Sequence, residues 1–103
     1  MSNETDGGVA VEEEVKTELK EPPKFAVLLH NDDYTTMEFV IEVLTKFFRR
    51  TPDEAHRIMI SVHFNGSGVA GIYPAEIAET KVIQVHDHAK SQGFPLRASA
   101  EPV

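Results

Sequence analysis

Asn31, Asp32 and Asp33 stand side by side between an apolar run, Phe25–Leu29, and an amphipathic stretch that begins near Met37. An amide and two carboxylates at that spacing offer several hydrogen-bond acceptors and two negative charges. They suit a primary ammonium. They also suit a plain strand-to-helix turn, because Asn and Asp bond their own backbone there. His63 extends the set if its helix packs back on the Asn31 turn: Asn31, Asp32, Asp33 and a neutral imidazole would then form one cluster of acceptors. Beside it would lie Thr35, Met37, Val40, Met59 and Val62, an apolar wall in which the methionines adapt to a guest side chain. A few convergent polar groups at the mouth of an apolar pocket are the general form of a ligand site. Asp32, Asp33 and His63 also support an alternative, a two-carboxylate, one-histidine metal site in a small hydrolase.

Other chemistry is excluded or weak. The chain has no cysteine, so disulfides and thiolate zinc sites are ruled out, which fits a reducing, cytoplasmic setting. No Gly-x-Ser-x-Gly elbow, P-loop or dinucleotide fingerprint occurs. Gly66-Ser67-Gly68 precedes a strand and lacks the helix N-terminus that phosphate sites use. Of the five histidines, His56 and His63 are two turns apart, about 10 Å along a helix axis, and His86 and His88 point to different sides. A formal charge of −7 argues against a nucleic-acid surface. The acidic start, Met-Ser-Asn-Glu, reads as neither a signal nor a transit peptide, and no apolar stretch approaches a membrane span.

The elements that must position these residues follow from capping and periodicity. Residues 1–23 carry seven acids against two bases and end in Pro22-Pro23, which predicts a disordered acidic arm ahead of a folded domain over 24–103. Phe25–Leu29 reads as a strand with both faces covered. Thr35 stands three residues before Glu38, a capping box that predicts a helix starting at Thr36 with Val40, Val43, Leu44 and Phe47 on its buried stripe. Thr51-Pro52-Asp53-Glu54 opens a second helix after one cap residue. Its stripe is Ala55, Ile58, Met59 and Val62, and it stops at Asn65-Gly66. A Gly-rich strand over 68–73 leads to Pro74 and a third helix with Ala78, Val82, Val85 and Ala89 inward and Glu76 and Lys81 on the solvated face. Gly93 ends that helix, and 94–99 forms the last strand, with Pro95 at a sheet edge. The fold class is α+β: one domain, β-α-α-β-α-β, a three-stranded antiparallel sheet with helices on one face.

The segments Asn31-Asp32-Asp33-Tyr34-Thr35, Met37-Glu38-Phe39-Val40, Val62-His63 and Ala75-Glu76-Ile77-Ala78-Glu79-Thr80-Lys81 together resemble the ClpS family, adaptors of Clp proteases in the bacterial N-end rule pathway. The similarity covers about residues 22–100. It implies a monomeric, non-enzymatic adaptor, with no metal or cofactor, that binds proteins beginning with Leu, Phe, Tyr or Trp. The adaptor passes them to the N-domain of a ClpA-type or ClpC-type AAA+ unfoldase. Carried onto this sequence, Asn31, Asp32, Asp33 and His63 would hold the α-amino group. Thr35, Met37, Val40, Met59, Val62 and Leu96 would line the side-chain pocket, Glu76 and Lys81 would face the unfoldase, and the acidic arm would take part in delivery. Thr36 stands where the family usually has proline, and His30 where it has an apolar or small residue. A purely structural interaction domain is the remaining alternative, and it would show no affinity for free N-termini.

Overall fold

Strand β1 (Lys24–His30) lies at the centre of the molecule, flanked by β2 (Ser67–Pro74) and β3 (Arg97–Pro102) in the order β2–β1–β3, both antiparallel to it. The computed structural model describes residues 22–103, so the expectation of a disordered arm falls almost entirely outside the described residues. Helices α1 (Met37–Phe47), α2 (Pro52–Asn65) and α3 (Ala75–Gln92) complete the expected β-α-α-β-α-β order. Val27 and Leu29 on β1 are fully buried against Val43, Leu44, Met59 and Val85 of the three helices. That cluster is the core. Burying each such side chain contributes about 1.5–3 kcal/mol relative to leaving it exposed.

The other face of the sheet corrects one expectation. Val69 and Ile72, the cross-strand partners of Leu28 and Ala26, are 45% and 51% exposed, so no helical layer covers them. The apolar run in β1 arises because a central strand is shaded by neighbours along both edges, not because both faces are roofed. A bulge between Val27 and Leu28 in the β1–β2 register sets Ala70 into the interior. The Ala70 carbonyl accepts from Arg50 Nε at 2.9 Å.

Two boundaries also differ from the sequence expectation. The last strand begins at Arg97 rather than Phe94, because 94–96 serves as the connection out of α3. Phe94 donates its N–H to Ala89 O, its ring packs 4.6 Å from that of Phe39, and Pro95 has no N–H to give a ladder. Between α1 and α2 there are four residues, 48–51, instead of a single cap. Arg49 adopts φ 55 there, and Arg50 N–H reaches back to Leu44 O. The Thr51 capping box forms as expected: Glu54 N–H donates to Thr51 Oγ1 at 3.2 Å and Thr51 N–H to Glu54 Oε1 at 3.0 Å.

Lys81 also differs from expectation. It does not lie on a solvated face: its Nζ donates to Phe47 O, at the C-terminus of α1, at 2.6 Å, and stands 5.9 and 5.7 Å from the ring centroids of Phe48 and Tyr73. A cation at that helix end meets free carbonyls and the negative end of the dipole.

Gly68 shows how closely α2 lies on β2. A Cβ there would stand 3.0 Å from Val62 Cγ2 and 3.1 Å from the Ile58 carbonyl oxygen, a backbone atom. Gly68→Ala is expected to lower stability by about 1–3 kcal/mol, the usual range for overpacking, as measured by the shift of a urea unfolding midpoint.

Candidate functional site

When β1 ends at His30 the chain has to leave the sheet and enter α1, and Asp32 makes that turn. Its Oδ1 accepts from Tyr34 N–H at 2.8 Å and from Thr35 N–H at 2.7 Å, and its Oδ2 accepts from Thr35 Oγ1 at 2.7 Å. Thr35 is therefore not the helix cap. Its hydroxyl is spent on a carboxylate, a stronger acceptor than a neutral group, and the cap moves on by one residue. Thr36 Oγ1 accepts from Phe39 N–H at 3.1 Å, Met37 becomes the first helical residue, and the expected box with Glu38 does not form. Partial burial works against the Asp32 charge, but the Thr35 hydroxyl and the two backbone donors outweigh it and hold the carboxyl below its ordinary range.

Asn31 ties this turn to the end of α2. Its N–H donates to Gly66 O at 2.9 Å, extending the His30–Ser67 pairing by one step. Gly66 closes α2 in the left-handed region at φ 91, with its own N–H on Val62 O. His63 lies in the last turn of the same helix, exposed, its ring 4.8 Å edge-on to that of Phe64. The turn and the helix end are thus fastened together, with Asn31, Asp33 and His63 all exposed.

The histidines separate by role. His30 Nε2 bonds Ser99 Oγ at 2.7 Å, His86 Nε2 accepts from Ala98 N–H at 2.9 Å, and His88 Nε2 bonds Glu42 Oε2 at 2.7 Å. Among the described residues the side chains of Asn31, Asp33 and His63 have no hydrogen-bond partner, so their polar atoms face solvent. Of the apolar residues assigned to the pocket, Val40, Met59, Val62 and Leu96 are buried in the common core cluster. Thr35 is half-buried, and Met37 is 43% exposed at the surface. The three polar side chains are thus exposed at the joined turn and helix end, while four of the six residues assigned to the pocket belong to the core.

No three His, Asp or Glu side chains among the described residues are grouped so as to hold a metal ion. Both Asp32 oxygens are committed to the turn. The metal-hydrolase alternative thus has no ligand set in this part of the chain. Glu76 is exposed in the first turn of α3, whereas Lys81 is anchored as described above. One feature is absent from the sequence reading. A surface cavity of ≈ 270 Å³ lies beside the turn, lined by His30, Asn31, Asp32, Pro95 and Arg97. The signal for it is the β1–β3 register, which pairs His30 with Arg97, and a strand placed at 94–99 hides that pairing.

Residues 20–99 match the family model of the ATP-dependent Clp protease adaptor protein ClpS. The chain is 57% identical over 98 residues to the ATP-dependent Clp protease adapter protein ClpS of Nitratidesulfovibrio vulgaris strain Miyazaki F, covering 95% of this chain and 98% of that one. It is 54% identical over 103 residues to the protein of the same name from Oleidesulfovibrio alaskensis, covering 100% and 95%. Among solved structures it is similar to Agrobacterium tumefaciens ClpS2 bound to L-phenylalaninamide, with a TM-score of 0.77 and 42% identity over 81% of this chain and 100% of that one. Among the described residues no helix is long and apolar enough to cross a membrane.

The lowered Asp32 pKa carries a pH signature. A carboxyl depressed on folding contributes stability that is present above its unfolded value, near 3.8, and is lost as pH falls through the folded one. Asp32→Ala should cost about 1–3 kcal/mol at pH 7 by leaving the turn donors without their acceptor. It should also flatten the loss of stability below pH 4, as read from urea midpoints taken between pH 7 and pH 2.5.

Proposed function

The chain belongs to the ClpS family of Clp protease adaptors, and on that premise we propose that it captures proteins by their free N-terminus and hands them to a Clp unfoldase. The observation that carries this reading is the group of unpartnered acceptors, Asn31, Asp33 and His63, fastened around the Asn31–Gly66 bond near an apolar cluster. An α-ammonium brings three donors and one positive charge, which this group complements. Asp32 supports it by shaping the turn and by adding negative charge beside it; Asp33, with its carboxylate unspent, is the direct acceptor. The side chain of the first residue enters between Thr35, Met37, Val40, Met59, Val62 and Leu96. Phenylalaninamide, the ligand of the Agrobacterium ClpS2 structure, has a free α-amino group and an apolar side chain. It supports the same reading here, with N-terminal Leu, Phe, Tyr and Trp as the recognised residues.

Recognition of this kind needs no bond-making step, and the protein works by position and charge alone. Residues 24–103 form the recognition core, and the acidic arm over 1–23 takes part in delivery to the N-domain of a ClpA-type or ClpC-type unfoldase in the cytoplasm. On the far side of the core, Glu76 presents its carboxylate to that domain. Lys81 contributes by holding the end of α1 against α3 through Phe47 O.

Acetylation of the peptide removes the positive charge and leaves acceptors unmatched, so a Phe-initiated peptide should lose about 1–3 kcal/mol of binding when acetylated, roughly five- to 150-fold. His63→Ala should weaken the free peptide in the same direction, with unchanged helix content by circular dichroism. Fluorescence anisotropy with the two peptides checks both. Equal affinity for free and acetylated forms would instead indicate a structural interaction domain.

Met37 stands at the first position of α1, partly exposed, and in this reading the Cβ of a bound first residue passes beside it. Val and Ile carry a second heavy atom on Cβ and meet it, while Leu and Phe do not. Met37→Ala should therefore narrow the Leu-to-Ile affinity ratio by about tenfold, or 1.4 kcal/mol, in competition assays with Leu- and Ile-initiated peptides. An unchanged ratio removes Met37 from the selection.

A further inference from the structure

At the opposite end of α1 from the Asp32 turn, the junction with α2 is the most basic part of the chain. Lys46, Arg49, Arg50 and Arg57 stand there against Asp53 and Glu54, four cations less two acids, and no further acid occurs before Glu76. That is a local excess of +2 in a chain whose formal charge is −7. A surface cavity of ≈ 400 Å³ opens beside the junction, lined by Arg50, Glu54, Arg57, Ile58 and Val69. Arg50 is held by the bond from its Nε to Ala70 O at 2.9 Å, which leaves the rest of its fork open. Glu54 is the one acid in the lining, and its Oε1 accepts from Thr51 N–H at 3.0 Å. Neither arginine is in an ion pair among the described residues. Two guanidiniums against one carboxylate leave the lining at +1, and Ile58 and the exposed Val69 add apolar surface.

The acidic arm has the complementary composition. Glu12, Glu13 and Glu14 are its densest run of charge, flanked by Val11 and Val15. Carboxylates are the partners that guanidinium forks fit bidentately, and the two valines match Ile58 and Val69. The run is also within reach. Val69 pairs with Leu28, four residues along β1 from Lys24, or about 13 Å at the rise of a strand. Ten residues separate Glu14 from Lys24, and a flexible chain of that length spans about 17 Å. Such a tether gives an effective concentration in the millimolar range. Exposed ion pairs that contribute little between separate molecules are then populated within one.

We propose that the acidic arm docks on its own core at this cavity, with Glu12, Glu13 and Glu14 on Arg50 and Arg57 and the flanking valines against Ile58 and Val69. The contact does not depend on the adaptor reading. Under that reading the arm is parked beside β2 and leaves this face before it reaches an unfoldase.

The test is paramagnetic broadening of backbone amides in the full chain at low salt. The sequence has no cysteine, so Thr17→Cys provides a single attachment point for a nitroxide close to the acidic run. Gly71 on β2 and Ala100 on β3 stand on either side of Val27, both paired with it, and an arm with no docking site samples the two edges alike. The docked arm should broaden Gly71 and the amides of Arg57 and Ile58 more than Ala100, and the bias should fade at about 0.5 M salt. Glu12→Gln, Glu13→Gln and Glu14→Gln together should abolish it, and Arg57→Gln, a change at an exposed residue, should reduce it. Equal broadening at the two edges, or a bias that survives both sets of substitutions, overturns the proposal. Broadening of Gly71 in an isotope-labelled chain mixed with a separate nitroxide-bearing one would mean that the arm docks on a second copy, and it too overturns docking on its own core.

Discussion

A single carboxylate determines how the central strand passes into the first helix. Asp32 gathers two backbone N–H groups and one hydroxyl within 2.8 Å, and each of those bonds fixes something downstream. The Thr35 bond releases Thr36 to cap α1, which sets Met37 as the first helical residue and therefore fixes which faces of α1 turn inward. The Tyr34 bond keeps the turn tight enough for Asn31 to remain in register with Gly66. An N-cap and a charged hydrogen-bonded turn each contribute on the order of 1–2 kcal/mol. Their larger effect is to position exposed acceptors that have no partners of their own.

At the other end of α1 the scaffold is fastened by cations placed on carbonyls. Arg50 reaches the bulged carbonyl of Ala70, and Lys81 reaches the last turn of α1 at Phe47, so the junction between the first two helices is tied to both β2 and α3. Histidines do similar work opposite: His88 is stacked 5.3 Å from Phe39 and bonded to Glu42, and His86 takes the N–H of Ala98 on an edge strand. A recognition site of the kind proposed needs its walls held to within fractions of an ångström. These ties supply that rigidity from outside the apolar core.

The division of labour suits an adaptor. His30, Asp32, His86 and His88 are engaged in structure, whereas the side chains of Asn31, Asp33 and His63 at the turn and the end of α2 have no hydrogen-bond partner among the described residues. In the proposed function a charged N-terminus and an unbranched apolar side chain are recognised by complementarity, without covalent chemistry. The open face of the sheet, with Val69 and Ile72, is not part of that arrangement.

Sequence alone determined the order of elements, the buried stripes of the helices and the Thr51 capping box, because these depend on short-range periodicity and local capping. It assigned the first helix cap to Thr35, since a spacing rule cannot see that a carboxylate three residues upstream competes for the same hydroxyl. It placed Lys81 in solvent, since a helical wheel does not know that the end of α1 lies beside it. It left Arg97 unremarked and began the last strand three residues early, because the pairing of His30 with Arg97 is a contact across 67 residues of chain. Only the folded sheet decides which strand faces meet, and so which charges share a cavity and which are already spent.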